Sequence, residues 1–316
     1  MVVLMMMIFG AVVVGTQAGF ACPDWPLCHG KLIPSLDDPL VLIEWGHRLT
    51  SAAGGLLILI TAWTAWRKRK EAPLMKKLAI FIVASLALQG LAGAAIVKFK
   101  LPGYMTTIDL TNGMILVSLF VILLAYSVRG KELQTRRTNE ERDSKMNALF
   151  FPAVTMVGVT LFQVVVGGLF RHTGAGEALF GRNDYLRSHD QYTMPSDAFA
   201  NAFLMFHIMV GVMVTAVLIW LLAQAIRKRV LLAPAVALLV VVLIQMVLGF
   251  VTLGTELSLV VVTAHMVGAA LTTVFSVYIG ARARFARTVH LTAGAVAGGK
   301  GRSHSASSST VSLGTN

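Results

Sequence analysis

The sequence predicts an all-α, polytopic membrane protein, with eight transmembrane helices arranged as two pseudo-symmetric four-helix bundles. Three observations carry this. The 316 residues are 56% hydrophobic and only 13% charged, about half the charge fraction usual for a soluble domain. The apolar residues fall in blocks near the ~20 residues that cross a hydrocarbon core. The second half of the chain also repeats landmarks of the first. In such a protein the formal charge of +12 reports orientation in the bilayer, and no nucleic-acid partner is expected.

The apolar blocks cover residues 1–17, 40–65, 78–97, 104–127, 148–169, 199–223, 231–253 and 258–280. The first has no basic residues ahead of it, so it does not read as a cleavable signal. Met1 to Gly15 rises only about 22 Å as a helix, short of a core near 30 Å. Either this helix borrows Thr16 to Phe20 or the true start lies upstream. The gaps after the second, fourth, sixth and eighth blocks hold 20 of the 27 Lys and Arg residues. The positive-inside rule then places both termini in the cytoplasm of a cell membrane. The expected division is 1–128 for the N-terminal half, 129–147 for a cytoplasmic linker and 148–285 for the C-terminal half. Residues 286–316, rich in Gly, Ser and Ala, read as a disordered cytoplasmic tail.

The repeat is visible at fixed landmarks. Gln89 opens QGLAG and Gln245 opens QMVLG, and twenty residues beyond each stand Asp109 and His265. Thr16-Gln17-Ala18-Gly19 answers Thr173-Gly174-Ala175-Gly176, and His47 answers His207. Four helices per half give both halves one orientation. An up-down four-helix bundle is a standard container for a cofactor between facing helices.

Ionisable side chains in a bilayer are costly and mark function by default. Glu44, His47, Asp109, His207 and His265 qualify, all near the outer beginnings of even-numbered helices. His207 and His265 lie at corresponding depths. Each alone reads as a histidine bonded to a neighbouring helix, but the matched pair points to bis-axial ligation of haem iron. Gly211 and Gly268, a turn beyond them, would let a flat macrocycle approach. The first half has His47 but Asp109 where the repeat puts a second His, and Asp is a poor haem ligand. Asn112, one turn on, is placed to bond Asp109. Glu44 shares a helix face with His47 and reads either as a chemical group or as a helix N-terminal acid. Arg48 reads as a partner for a haem propionate or as a snorkelling interfacial residue. Cys22 and Cys28, in CPDWPLC on the outer side, suggest a disulfide.

Taken together, TQAGFACPDWPLCHG, IEWGHR, LQGLAG, FRHTGAG, His207 and His265 give the chain a resemblance to the haem A synthase family over residues 8–285. That resemblance implies eight helices in two pseudo-symmetric bundles. It implies a haem b cofactor in the second half between His207 and His265, and a first-half pocket for the substrate haem O. Glu44 and His47 match the family's Glu and first His, while Asp109 departs from its second His. The implied reaction oxidises a ring methyl to a formyl group, for the haem of terminal oxidases, with Glu44 handling protons or orienting substrate. A haem O synthase and an electron donor are the implied partners. Two other classes compete. A b-type cytochrome that only carries electrons would need His207 and His265 but would give Glu44 and the Cys loop no task. A duplicated transporter usually shows Gly/Pro-broken helices, and the even-numbered helices here lack interior Pro.

Overall fold

A computed structural model describes residues 2–16, 18–70, 72–134, 140–180 and 195–303. The chain folds as α1 (Val2–Gly15), a 3₁₀ turn (Ala18–Phe20), α2 (Pro39–Arg67), α3 (Pro73–Phe99), α4 (Tyr104–Gln134) and α5 (Glu140–Asn147). It continues as α6 (Phe150–His172), α7 (Ala175–Phe180), α8 (Asp197–Lys228), α9 (Leu232–Gly254) and α10 (Leu259–Ser303). The protein is thus an all-α polytopic membrane protein. Seven helices (α2, α3, α4, α6, α8, α9 and α10) are long and apolar enough to cross a membrane, and α1 is apolar but shorter. The 14 residues of α1 rise about 21 Å. The chain does not extend α1 to Phe20 as an α-helix: Thr16 folds its hydroxyl back onto the Val12 carbonyl at 2.7 Å, and a 3₁₀ turn follows.

Local chemistry sets the helix ends. Asp38 caps α2 by accepting from the Leu40 amide at 2.8 Å, with Pro39 at the first helical position. Ser196 caps α8 through the Phe199 amide at 3.3 Å. The Thr16 arrangement recurs at the matching point of the second half, where Thr173 bonds the Leu169 carbonyl at 2.7 Å. A short helical turn then begins at Ala18 in one half and at Ala175 in the other.

Packing follows chain order and then closes. In the first half α1 packs on α2, α2 on α3, α3 on α4, and α4 returns to α1. In the second half α6 packs on α8, α8 on α9, α9 on α10, and α10 returns to α6. The halves meet through α4 against α6 and α10, and through α1 against α10. Leu57, Leu91, Phe81, Phe250 and Val260 point outward and are exposed, as expected for a surface solvated by lipid. The helices are consequently apolar all round rather than amphipathic.

Two sequence expectations change at the polar end of the molecule. The segment 129–147 is not a bare linker: α4 runs on to Gln134, and α5 packs against α10. The reason is an ion-pair cluster. Buried Arg129 meets Asp143 of α5 with both guanidinium nitrogens, at 3.1 and 2.5 Å. Glu132 of α4 receives Arg282 of α10 at 2.6 Å, tying the two halves together. The expected tail from 286 is also different. α10 continues helical to Ser303. Residues 304–316 lie outside the described residues.

Two outcomes are expected. Asp143→Ala leaves Arg129 buried without its partner and lowers stability by about 3 kcal/mol. Arg129→Met with Asp143→Leu recovers most of it, as read by thermal unfolding in detergent. The orientation is tested at Leu32, the most exposed large apolar residue of the loop before α2 at 80%. A Leu32→Cys protein, whose two native cysteines are already paired, is expected to react with an impermeant thiol reagent in intact cells. Reaction confined to inverted vesicles overturns the predicted topology.

Candidate functional site

Glu44 and His47 lie in α2, Asp109 in α4, His207 in α8 and His265 in α10, each within about the first three turns. Every one of these helices follows an antiparallel partner: α1, α3, α6 and α9 in turn. The partner supplies a glycine at the same level. A Cβ on Gly167 of α6 would stand 2.8 Å from Cε1 of His207, and one on Gly249 of α9 would stand 3.3 Å from Cε1 of His265. In the first half, a Cβ on Gly10 of α1 would lie 3.6 Å from Cε1 of His47. The fourth member, Gly93 of α3, would meet nothing within 4 Å, because Asp109 is too short to fill the slot that a His occupies elsewhere.

The imidazoles are placed by packing and lightly engaged by polar groups. His207 stacks on Phe170 at 6.3 Å and 12°. Its ring nitrogens meet only the Gln163 amide nitrogen, at 3.3 and 3.4 Å, while that amide bonds the His207 carbonyl at 3.1 Å. His265 and His207 lie within electrostatic reach of one another. Among the described residues, Nδ1 of His47, Nδ1 of His265 and Oδ1 of Asp109 are buried with no hydrogen-bond partner. Such lone pairs in a low-dielectric interior are costly unless an acceptor of electrons or a donor of protons reaches them. The donor set of His207 and His265 therefore fits an iron porphyrin. No three His, Cys, Asp or Glu side chains converge as a bare metal set among the described residues.

The structure reassigns several residues. Gly211 and Gly268 are each approached by a glutamine of the preceding helix. The Gln163 amide sits 3.5 Å from a Cβ position on Gly211, and the Gln245 side chain fills the place above Gly268. Asn112 does not bond the Asp109 carboxylate. It is held between Ser85 and Gln89, donating to the Ser85 carbonyl at 2.9 Å and to Gln89 Oε1 at 2.7 Å. Gln89 in turn donates to the Asp109 carbonyl at 3.1 Å. The glutamines were legible as repeat markers, but their contact with the site was not. The signal was a Gln four residues before a Gly, three times over, which sets both on one helix face.

Arg48 is a structural pin. Its Nε donates to buried Glu44 at 2.8 Å, and Nη1 and Nη2 donate to the carbonyls of Asp24, Leu27 and Cys22 at 2.5, 2.6 and 3.0 Å. Four of its five donors are thus spent on Glu44 and on the loop closed by the Cys22–Cys28 disulfide. In the same loop the Asp24 carboxylate accepts from the amides of Gly30 and His29, at 2.8 and 2.6 Å. These bonds, Gly30 foremost, hold its carboxyl below the ordinary aspartate value. Glu44 is therefore not a lone helix-terminal acid; it joins the His47 face of α2 to the disulfide loop. His172, which the sequence did not single out, joins the halves. It meets the Thr107 hydroxyl of α4 at 2.9 Å, under a close approach of its backbone to Gly103.

Comparison with known proteins shows the family. A haem A synthase of Geobacillus kaustophilus is 29% identical over 281 residues, covering 83% of this chain and 82% of that protein. Those of Geobacillus thermodenitrificans and Bacillus licheniformis are each 32% identical over 177 and 179 residues. These alignments span 55% of this chain and only 54% and 57% of those relatives. The sequence profile of the cytochrome oxidase assembly protein family, COX15-CtaA, matches residues 1–277, and the chain belongs to that family, the family of the haem A synthases.

Proposed function

We propose that this chain is a haem A synthase, oxidising a ring methyl of haem O to a formyl group, with haem b as resident cofactor. The observation that carries this is the chemical difference between two similarly built pockets. The second half presents two imidazoles, each seated on a glycine of the preceding helix. The first presents one imidazole, His47, with a carboxylate on the same helix face and Asp109 in place of the second. The packing order of the helices supports two pseudo-symmetric bundles, with α1 as an eighth, short span. The basic-residue pattern supports cytoplasmic termini.

In this reading His207 and His265 hold haem b, which when bound supplies electron transfer. His47 orients haem O as its one protein ligand. Asp109 leaves the opposite face without an imidazole. Glu44 handles protons, held at a fixed depth by Arg48. Arg48 itself has one donor left for a propionate. The electron donor and the haem O synthase remain partners of the proposal. Asp109 also favours a second reading, a membrane b-type cytochrome that no longer oxidises haem O.

Purified protein is expected to carry low-spin haem b. His207→Ala or His265→Ala abolishes it, and His47→Ala leaves most of it; equal loss in all three overturns the two-pocket reading. In a host that supplies haem O, membranes are expected to accumulate haem A. Glu44→Gln removes the proton acceptor but keeps a partner for Arg48, so binding persists while oxidised haem disappears. Asp109→His fills the slot at Gly93, giving a low-spin site with tighter substrate retention and no gain in turnover. Wild-type protein that holds haem b yet forms no oxidised haem decides for the electron carrier.

A further inference from the structure

The four antiparallel pairs α1/α2, α3/α4, α6/α8 and α9/α10 share more than a glycine under each ligand position. Four residues before Gly93, Gly167 and Gly249 stand Gln89, Gln163 and Gln245; four residues before Gly10 stands Met6. In an antiparallel pair this puts each of these side chains one turn inward of the ligand position, facing the next turn of the partner helix.

The glutamines use that place. Gln163 enters the gap at Gly211 and donates to the His207 carbonyl at 3.1 Å, with the imidazole Nδ1 at 3.3 Å. Gln89 makes the same 3.1 Å bond to the Asp109 carbonyl. Gln245 lies over Gly268. A helix carbonyl can accept a second hydrogen bond. When the donor comes from another helix, the bond ties the depth and rotation of one helix to the other. Oε1 of Gln163 and Oε1 of Gln245 are buried with no donor among the described residues. A ligating imidazole has one N–H left to give, and it normally gives it to such an oxygen.

The fourth pair has none of this. Met6 lies against Gly54, two turns inward of His47. The second bond on the His47 carbonyl comes at 3.0 Å from Thr50 of its own helix.

We infer that Gln163 is a positioning residue that holds His207 for a resident haem, and that Met6 leaves His47 ungripped so that the first half exchanges its haem. This rests on the two-pocket function proposed above. It explains how one duplicated scaffold keeps one porphyrin and turns over another. The hydrogen-bonded support of the ligand adds to the difference in the ligands themselves, two imidazoles in one half and one in the other.

The test is haem loss from the full-length holoprotein to an excess of haem-scavenging apomyoglobin, followed by absorbance. Gln163→Met keeps volume and removes the amide. It is expected to speed loss of haem b by about 3- to 20-fold, the range that one interhelical side-chain bond in a membrane protein supports. It is also expected to shift the haem b reduction potential, since the amide beside the imidazole is gone. Met6→Gln is the converse arm, with ferrous haem b as probe for the first half. Loss of this second, added haem is expected to slow while loss of the resident one is unchanged. A merely destabilised fold cannot produce that gain, so Met6→Gln decides even if Gln163→Met fails to assemble. Haem b retained by the wild type, with unchanged loss in both variants, overturns this inference and leaves the function standing. A wild type that holds no haem b overturns both.

Discussion

An imidazole can sit between two membrane helices only if the facing backbone gives way, and here it gives way at glycine. Gly10, Gly167 and Gly249 each receive the ring of the next helix, and at Gly167 a methyl group would already collide with His207. These contacts fix how closely α1 and α2, α6 and α8, and α9 and α10 approach at the outer end. The small residue serves here as a seat for a ring, where membrane helices more often use it for backbone-to-backbone packing.

The two ends of the bundle solve different problems. At the end that carries the disulfide loop the polar groups are stitched to loops. Arg48 gathers the carbonyls of Cys22, Asp24 and Leu27 and presents Glu44 below them. A carboxylate that would be costly in hydrocarbon is thereby paired and held. At the other end Arg129, Glu132, Asp143 and Arg282 form a connected cluster across α4, α5 and α10. It joins the N-terminal half to the C-terminal half through charges that neither half could bury alone.

The halves differ most where one is polar and the other small. Ser85, Gln89 and Asn112 form a hydrogen-bonded string in the first half. At the repeat-equivalent places the second half has Val241, Gln245 and Gly268, and Gln245 fills the room left by the glycine. The string supports the helix that carries Asp109 through its backbone and leaves the carboxylate Oδ1 unpaired among the described residues. Asp109 thus stands, where the repeat-equivalent residue is His265, in a half whose polar neighbours also differ.

Much of this protein is written in its sequence by itself. Apolar blocks of bilayer length determine the helices, because hydrocarbon leaves the backbone no other way to satisfy its hydrogen bonds. The repeat and the cost of burying charge single out five side chains as candidates, and Thr16 and Thr173 end their helices alike. Partner choice was decided only by the tertiary structure. A sequence places Arg48 near the surface but does not say that loop carbonyls take four of its donors. It places Asn112 one turn from Asp109 but not its turn toward Ser85 and Gln89. It places Gly211 and Gly268 a turn beyond two histidines but not the glutamines that approach them, because spacing along one helix says nothing of what the next helix inserts. Hydrogen bonds and close contacts between helices depend on depth and rotation together, and these are set only when all the helices pack at once.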